Sequence, residues 1–216
     1  TNSGQIDIGT KAIGAYFANS NVTNKGKVNV NANNAYGLYL KGGNSSTTAK
    51  ILALAKESVG VLISGKGITG VTSFENKSGV EILANADKSI GVYSKGTLKL
   101  GESTIAASNQ AVNYFADDKG KIEIVAGNTS KATTGQSSLL FYTKGAGKII
   151  LNGNINATIK GGSIPSTRGT AFYYEAPGAT YGAFNTAAIQ NYFNNTLFFY
   201  RNFFRVNCFV IHIVTK

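Results

Sequence analysis

The sequence predicts an all-β chain, a right-handed parallel β-helix (β-solenoid) of about seven coils. Three observations predict this fold: a short apolar motif recurs along the chain, a glycine turn and an alternating strand accompany most copies, and no stretch has sustained helical periodicity. The composition agrees, because 26 of the 216 residues are glycine, only two are proline and 14% are charged. Many small polar residues with few charges suit turns and pleated sheet better than amphipathic helices.

The recurring motif has four apolar or aromatic positions, with glycine second in the clearest copies. Those copies lie at 13–16, 36–39, 59–62 and 90–93, and degenerate copies follow at 112–115, 139–142 and 171–174. The second positions are therefore residues 14, 37, 60, 91, 113, 140 and 172, which are separated by 23, 23, 31, 22, 27 and 32 residues. Such near-regular spacing is typical of solenoid coils, and we interpret the longer intervals as loop insertions.

Each turn-and-strand unit begins at a glycine, as in 26–30 and 120–124, and most units then alternate apolar with polar residues. Alternation indicates a strand with one buried face. A lysine often precedes the turn glycine, and we expect the glycine to supply the positive φ of a sharp corner. The lysines before these glycines form a candidate basic row: Lys25, Lys41, Lys66, Lys95, Lys119, Lys144 and Lys160.

A unit of two short strands cannot bury its own apolar face, whereas stacked copies of the unit can. The alternative is an antiparallel meander, in which a segment such as 118–120 closes a hairpin. The meander gives no reason for side-chain types to recur at a fixed period, so the repeat favours the solenoid.

Alternation also assigns faces to the motif. Ile13, Ala15 and Phe17 are predicted on one side, and Gly14 and Tyr16 on the other. The same register predicts an outward aromatic ladder, interrupted at Leu62, that consists of Tyr16, Tyr39, Tyr93, Phe115, Tyr142 and Tyr174. Two interpretations stay open, namely stabilisation by ring stacking and a flat strip that binds a ligand.

The net charge of +11 favours acidic partners, although surface lysines also keep a long sheet soluble and block edge pairing. Lysines mark corners along the whole chain rather than one compact face, so we expect no nucleic-acid binding. A lysine row along one solenoid edge predicts attraction of sulfated or sialylated glycans.

The acidic residues are too scattered for acid–base catalysis or for calcium, so we expect no enzyme, no catalytic residue, no metal and no cofactor. Asp117 and Asp118 are adjacent, but neighbours in a strand point to opposite faces. The pair precedes a Lys-Gly turn and is interpreted as solvated. A polysaccharide-active enzyme on a β-helix and a ligand-free spacer are the alternatives to a binding protein.

Segments such as 88–96 and 22–30 resemble the passenger domains of type V autotransporters, in particular those of fusobacterial outer-membrane adhesins. The resemblance covers roughly residues 4–188. It implies a right-handed β-helix, type V secretion, a place at the bacterial surface, in the outer membrane or outside the cell, and virulence-related adhesion to host cells or other bacteria. Its implied partners are surface proteins or anionic glycans, and it carries no catalytic residues to this chain.

The composition changes near residue 189, which divides the chain into solenoid repeats (1–188) and an atypical aromatic and basic tail (189–216). Six of the twelve phenylalanines lie at or after Phe193, and the last acidic residue is Glu175. The tail is too short and too charged to span a membrane. We expect an altered reading frame or truncation here, and the start at Thr1 indicates a piece of a longer chain.

Overall fold

A computed structural model of the chain describes residues 1–67, 70–77, 79–102, 104–159, 169–175, 197–199 and 208–213. These residues form a parallel β-solenoid with three faces, and each coil contributes one strand to each face in turn. The predicted all-β solenoid is therefore confirmed. The described part contains six complete coils and the first two strands of a seventh. The right-handed sense stays a prediction, which the general handedness of parallel crossovers favours.

The strands of the first face follow one another along the solenoid axis as β1 (Ile6–Ile8), β4 (Val28–Val30), β7 (Ile51–Ala53), β12 (Ile82–Ala84), β15 (Thr104–Ala107), β18 (Thr129–Thr134) and β21 (Asn154–Ile159). The second face carries the recurring motif and consists of β2 (Ile13–Ala18), β5 (Tyr36–Lys41), β8 (Val59–Ile63), β13 (Ile90–Ser94), β16 (Val112–Ala116), β19 (Leu139–Lys144) and β22 (Thr170–Glu175). The third face consists of β3 (Thr23–Asn24), β6 (Asn44–Thr47), β11 (Ser73–Asn76), β14 (Thr97–Leu100), β17 (Lys121–Ile124) and β20 (Lys148–Leu151).

Every strand of the three faces pairs in parallel with its counterpart on the next coil. The antiparallel meander is therefore wrong, and β16 and β17, which flank 118–120, pair with neighbouring coils rather than with each other. Within the described part of the coils one hairpin does occur: β9 (Lys66–Gly67) pairs with β10 (Gly70–Val71) in the third coil. This insertion accounts for most of the difference between the 31-residue spacing there and the 23-residue spacing of the first coils, as the loop interpretation predicted.

Stacking buries one continuous apolar core. Ile51 and Ile82 on the first face, Val61 and Val92 on the second, and Leu98 on the third are fully excluded from solvent. Each strand presents similar side chains at the same height, so successive coils build columns of like residues. The core therefore runs along the solenoid rather than around one centre.

The second-face strand bends at the second position of the motif. In the second coil Gly37 and Leu38 are both buried, whereas Tyr36 and Tyr39 are half-buried. A Cβ on Gly37 would lie 2.4 Å from the carbonyl oxygen of Gly60 and 3.0 Å from the Val28 side chain. The predicted placement of Gly14 on the same side as Tyr16 is therefore wrong, because alternation is lost at the bend and the outward positions are the first and the fourth.

The turn glycines are needed for close approach more often than for positive φ. Among the Lys-Gly glycines that the structure describes, only Gly42 and Gly145 have positive φ. A Cβ on Gly96 would lie 2.2 Å from the Thr72 carbonyl oxygen, and one on Gly120 would lie 2.1 Å from that of Ser94. The expected conformational role thus holds at two corners, and elsewhere the adjoining coil leaves no room for a side chain.

Left-handed backbone also occurs at residues that are not glycine. Five of them lie two residues before the motif in successive coils, with φ between 50° and 59°: Asn34, Glu57, Lys88, Gln110 and Ser137. The backbone amides of Glu57, Lys88 and Gln110 donate hydrogen bonds to the adjoining coil, as when the Lys88 amide donates to the Gln110 carbonyl at 3.2 Å. The corner between the first and second faces therefore repeats one strained turn.

The two described strands of the tail do not continue the parallel stacking. β24 (Cys208–Ile213) pairs antiparallel with β22, and β23 (Leu197–Phe199) pairs antiparallel with β24. The described strands of the predicted tail thus depart from the parallel pairing of the coils, whereas the predicted boundary at residue 188 lies outside the described residues. The described residues include no helix that is long and apolar enough to cross a membrane.

Candidate ligand-binding face

The outer surface of the second face carries a column of fourth-position side chains, one per coil. Parallel pairing aligns them in the order Tyr16, Tyr39, Leu62, Tyr93, Phe115, Tyr142 and Tyr173, which we call the aromatic column. Tyr16 is 51% exposed and the others are half-buried. The column is therefore covered by its own neighbours along the axis but open to solvent in front.

Ring contacts connect most of the aromatic column. Tyr16 and Tyr39 meet edge to face with ring centroids 4.9 Å apart, as do Tyr93 and Phe115. Phe115 and Tyr142 stack at 4.3 Å with an angle of 22° between the rings. Pairs of this geometry add about 1 kcal/mol each beyond the area they bury. The column thus stabilises the solenoid whether or not it binds a ligand.

Tyr174 does not belong to the aromatic column, which corrects the predicted ladder. The strand register pairs Tyr173 with Tyr142, whereas Tyr174 pairs with Thr143. The seventh copy of the motif starts at Thr170 rather than at Ala171, and a slip of one residue exchanges the two faces of a strand. The other five predicted members, Tyr16, Tyr39, Tyr93, Phe115 and Tyr142, lie in the column.

A second column borders the first, at the edge between the second and third faces. From the second coil to the seventh its members are Lys41, Ser64, Lys95, Asp117, Lys144 and Glu175, which we call the edge column. The Tyr93 hydroxyl donates a hydrogen bond to the Asp117 carboxylate, and the Tyr142 hydroxyl donates one to that of Glu175. The Lys95 ammonium lies 3.7 Å from the Asp117 carboxylate oxygen that accepts the Tyr93 hydrogen bond.

These contacts change the pKa of one tyrosine in the aromatic column, Tyr93. Partial burial, together with the hydrogen bond and the negative charge of Asp117, raises the pKa of Tyr93 above its usual range. The hydroxyl is therefore a donor throughout the physiological range, and it holds the ring against the next coil.

Only some of the lysines in the predicted basic row lie along one edge of the solenoid. Five of its lysines are exposed at the edge between the second and third faces, one in each coil from the second to the sixth: Lys41, Lys66, Lys95, Lys119 and Lys144. Lys25 follows β3 and lies at the edge between the third and first faces, so its place in the row is wrong. Lys-Gly pairs recur at two different corners of the coil, which spacing alone does not distinguish. Lys160 lies outside the described residues.

A second aromatic ladder, inside the core, was not predicted. Tyr114, Phe141 and Phe172 occupy the third motif position in consecutive coils, with ring centroids 5.5 and 5.1 Å apart. In earlier coils Val61 and Val92 fill the same column. The signal was available in the sequence, because aromatic residues replace aliphatic ones at that position from residue 114 onward.

The described residues contain no group of three or more His, Cys, Asp or Glu side chains that could hold a metal ion. Asp117 is held by Tyr93 and Lys95, and the adjacent Asp118 is exposed in a turn with φ of 56°. The absence of catalysis and of cofactors stays a prediction.

Fold and face together define a β-solenoid repeat protein with an open aromatic strip along one side. Comparisons of the chain with protein-family models, with curated proteins and with solved structures found no match.

Proposed function

We propose that the chain is part of an autotransporter-type bacterial adhesin, displayed at the cell surface or released outside the cell, that binds host cells or other bacteria. The observation that supports this proposal is the aromatic column, a row of apolar rings open to solvent along one face. The resemblance of segments 22–30 and 88–96 to such passenger domains points the same way.

An open apolar strip is unusual for a surface without a partner. Contiguous exposed apolar patches on soluble proteins commonly mark interaction sites, and stacked repeats offer extended binding surfaces. The first motif position lies on the same outer surface and adds apolar side chains such as Ile13, which is 45% exposed, and the half-buried Ile90. The edge column lies alongside and supplies charged and polar groups that orient a ligand.

A spacer without a ligand is the second candidate function. The hydrogen bonds from Tyr93 to Asp117 and from Tyr142 to Glu175 favour it, because they give the tyrosines a structural role. The two candidates differ in whether the outer surface of the second face contacts another molecule.

Adhesion of the purified chain to epithelial cells and to co-cultured bacteria tests the proposal. We expect the chain to bind, and the double variant Tyr39→Ser/Tyr93→Ser to bind at least about tenfold more weakly, as is usual when two aromatic anchors are removed. The matched control is Leu52→Ser/Leu83→Ser, which removes two half-buried outward side chains from the first face. We expect this control to bind within about twofold of the unmodified chain.

Circular dichroism melts establish that both variants are folded before their adhesion is compared. Absence of adhesion by the unmodified chain would favour the spacer. Equal losses in the two variants would show that the second face is not the binding surface.

A further inference from the structure

The edge column alternates strictly in chemistry from the second coil to the seventh. The even-numbered coils present a cation, with Lys41, Lys95 and Lys144 each two residues after a tyrosine of the aromatic column. The odd-numbered coils present a hydrogen-bond acceptor, and these residues are Ser64, Asp117 and Glu175. A Tyr-x-Lys unit therefore recurs at every second coil and nowhere between.

The spacing between coils sets the distance at which the Tyr-x-Lys units repeat along the solenoid axis. Neighbouring parallel strands lie about 4.8 Å apart, so the Tyr-x-Lys units repeat at about 9.6 Å along the axis. A β-linked pyranose advances an extended glycan by nearly one strand spacing. One Tyr-x-Lys unit thus corresponds to one disaccharide, and a single coil corresponds to one sugar.

The two columns supply the two kinds of contact that a sugar chain takes. Aromatic rings offer flat apolar surfaces to the C–H faces of pyranoses, and a lysine ammonium pairs with a carboxylate or sulfate. On the odd coils the carboxylates of Asp117 and Glu175 accept hydrogen bonds from hydroxyl groups but repel an acidic group. The track therefore favours acidic groups at alternate sugars and disfavours them at every sugar.

Charge around the track supports an acidic ligand. Lys66 and Lys119 lie exposed at the same edge in the third and fifth coils, two residues further along the chain than the edge column. They add to the positive charge near the track but are not among the alternating groups next to the aromatic column. The chain as a whole carries a net charge of +11, which raises the local concentration of a polyanion.

We infer that the outer surface of the second face is a track for a linear glycan in which acidic and neutral sugars alternate. This inference rests on the proposed adhesive function and names its ligand class. Surface glycans with acidic disaccharide repeats are the chemistry that fits.

Calorimetric titration of the full chain with three size-matched oligosaccharides tests the inference. Hyaluronan octasaccharide alternates acidic and neutral sugars, a chitooligosaccharide is neutral throughout, and an oligoglucuronate is acidic at every sugar. We expect hyaluronan to bind at least about tenfold more tightly than either of the others at physiological salt. If the oligoglucuronate binds as tightly as hyaluronan, charge alone explains the affinity and the alternation plays no part. If the chitooligosaccharide binds as tightly, the lysines do not contribute to recognition. Either result overturns the inference.

Two sets of variants locate the site. Lys41→Gln/Lys95→Gln/Lys144→Gln is expected to weaken hyaluronan binding about tenfold, since three exposed ion pairs are lost. The control Lys25→Gln/Lys27→Gln/Lys131→Gln removes three exposed lysines that are not in the edge column, and it should change the affinity by less than about twofold. An equal loss in the two triple variants overturns the inference.

Ser64→Lys tests the alternation itself. It places a cation on an odd coil, so we expect it to tighten oligoglucuronate binding several-fold while hyaluronan binding changes little. An equal gain in affinity for both oligosaccharides would contradict the proposed match between alternate coils and alternate sugars. If the chain adheres to cells but hyaluronan binding is absent, this inference fails while the adhesive function stands.

Discussion

The first three coils and the next two fill the same position of the third face with opposite chemistry. One inward column runs through Asn24, Thr47 and Asn76 in the early coils and continues as Leu100 and Ile124 in the later ones. All five side chains are almost completely buried. The backbone pairing is parallel throughout, so strand geometry does not decide which chemistry is used.

In the early coils the column is a ladder of amides and hydroxyls. The Asn2 amide donates to the Asn24 side-chain oxygen at 2.8 Å, and the Asn24 amide donates to the Thr47 hydroxyl at 3.0 Å. Asn76 ends the ladder, because its amide turns to the Val80 carbonyl of its own coil at 3.0 Å. Beyond it, in the described later coils, the column is apolar.

In the later coils the side-chain hydrogen bonds between coils include those on the outer surface, from Tyr93 to Asp117 and from Tyr142 to Glu175. Aromatic rings stack in the core there, as at Phe141. Each buried polar member of the early column makes at least one hydrogen bond: Asn24 and Thr47 bond to each other across coils, and Asn76 bonds within its own coil. Such a ladder fixes the register of stacking, whereas an apolar column contributes more to stability.

The largest expected effect comes from exchanging the chemistry in the apolar half. Ile124 is fully buried and pairs with Leu100 and Leu151 on the two adjoining coils. Ile124→Asn therefore buries an amide between two apolar neighbours and loses apolar burial, so we expect the free energy of unfolding to fall by about 4 kcal/mol. Urea unfolding followed by circular dichroism measures this loss. Ile124→Val, which only removes a methylene, should cost about 1 kcal/mol. A loss for Ile124→Asn as small as that for the valine variant would show that the later coils accept a polar residue in this column.

The reverse exchange in the polar half should cost less. Asn24→Leu has nearly the same shape and loses two hydrogen bonds, but it gains apolar burial, so we expect a loss of about 1 kcal/mol. The same urea titration measures it. A cost equal to that of Ile124→Asn would show that the ladder contributes as much stability as the apolar column.

A smaller effect is expected at the left-handed turn, which both halves share. Lys88 has φ of 56°, where a side chain costs about 1–2 kcal/mol and glycine costs little. After the greater flexibility of unfolded glycine is subtracted, Lys88→Gly should raise the free energy of unfolding by about 0.5 kcal/mol. Lys88→Ala, which keeps the Cβ, should leave it nearly unchanged. A loss in the glycine variant would mean that the lysine side chain itself stabilises the corner.

The smallest effect concerns pH and the outer surface of the later coils. The pKa of Tyr93 is raised in the folded chain, so the folded state holds the phenolic proton more tightly than the unfolded state does. Its contribution to stability is complete below about pH 10, the usual tyrosine value, and is lost as pH rises further. Thermal melts between pH 8 and pH 11 should show a steeper fall for the unmodified chain than for Tyr93→Phe. Identical slopes would argue against the contact with Asp117.

The sequence by itself determined the repeat and therefore the solenoid, because stacking of like strands explains an apolar motif that recurs at intervals of 22 to 32 residues. It also determined the aromatic column in the coils where the motif is clear, such as those of Tyr39 and Tyr93. The 31-residue interval correctly indicated an insertion, which is the β9–β10 hairpin.

The tertiary structure decided the features that depend on contacts between coils. Alternation predicts faces only along a continuous strand, and the bend at Gly14 and its equivalents changes the phase, so Gly14 was assigned to the wrong face. The seventh copy of the motif is degenerate, so the sequence did not fix its strand register to within one residue. Tyr174 was therefore predicted at the position in the column that Tyr173 occupies. Whether a turn glycine such as Gly96 serves positive φ or close approach depends on the position of the adjoining coil, because the same Lys-Gly sequence is compatible with both.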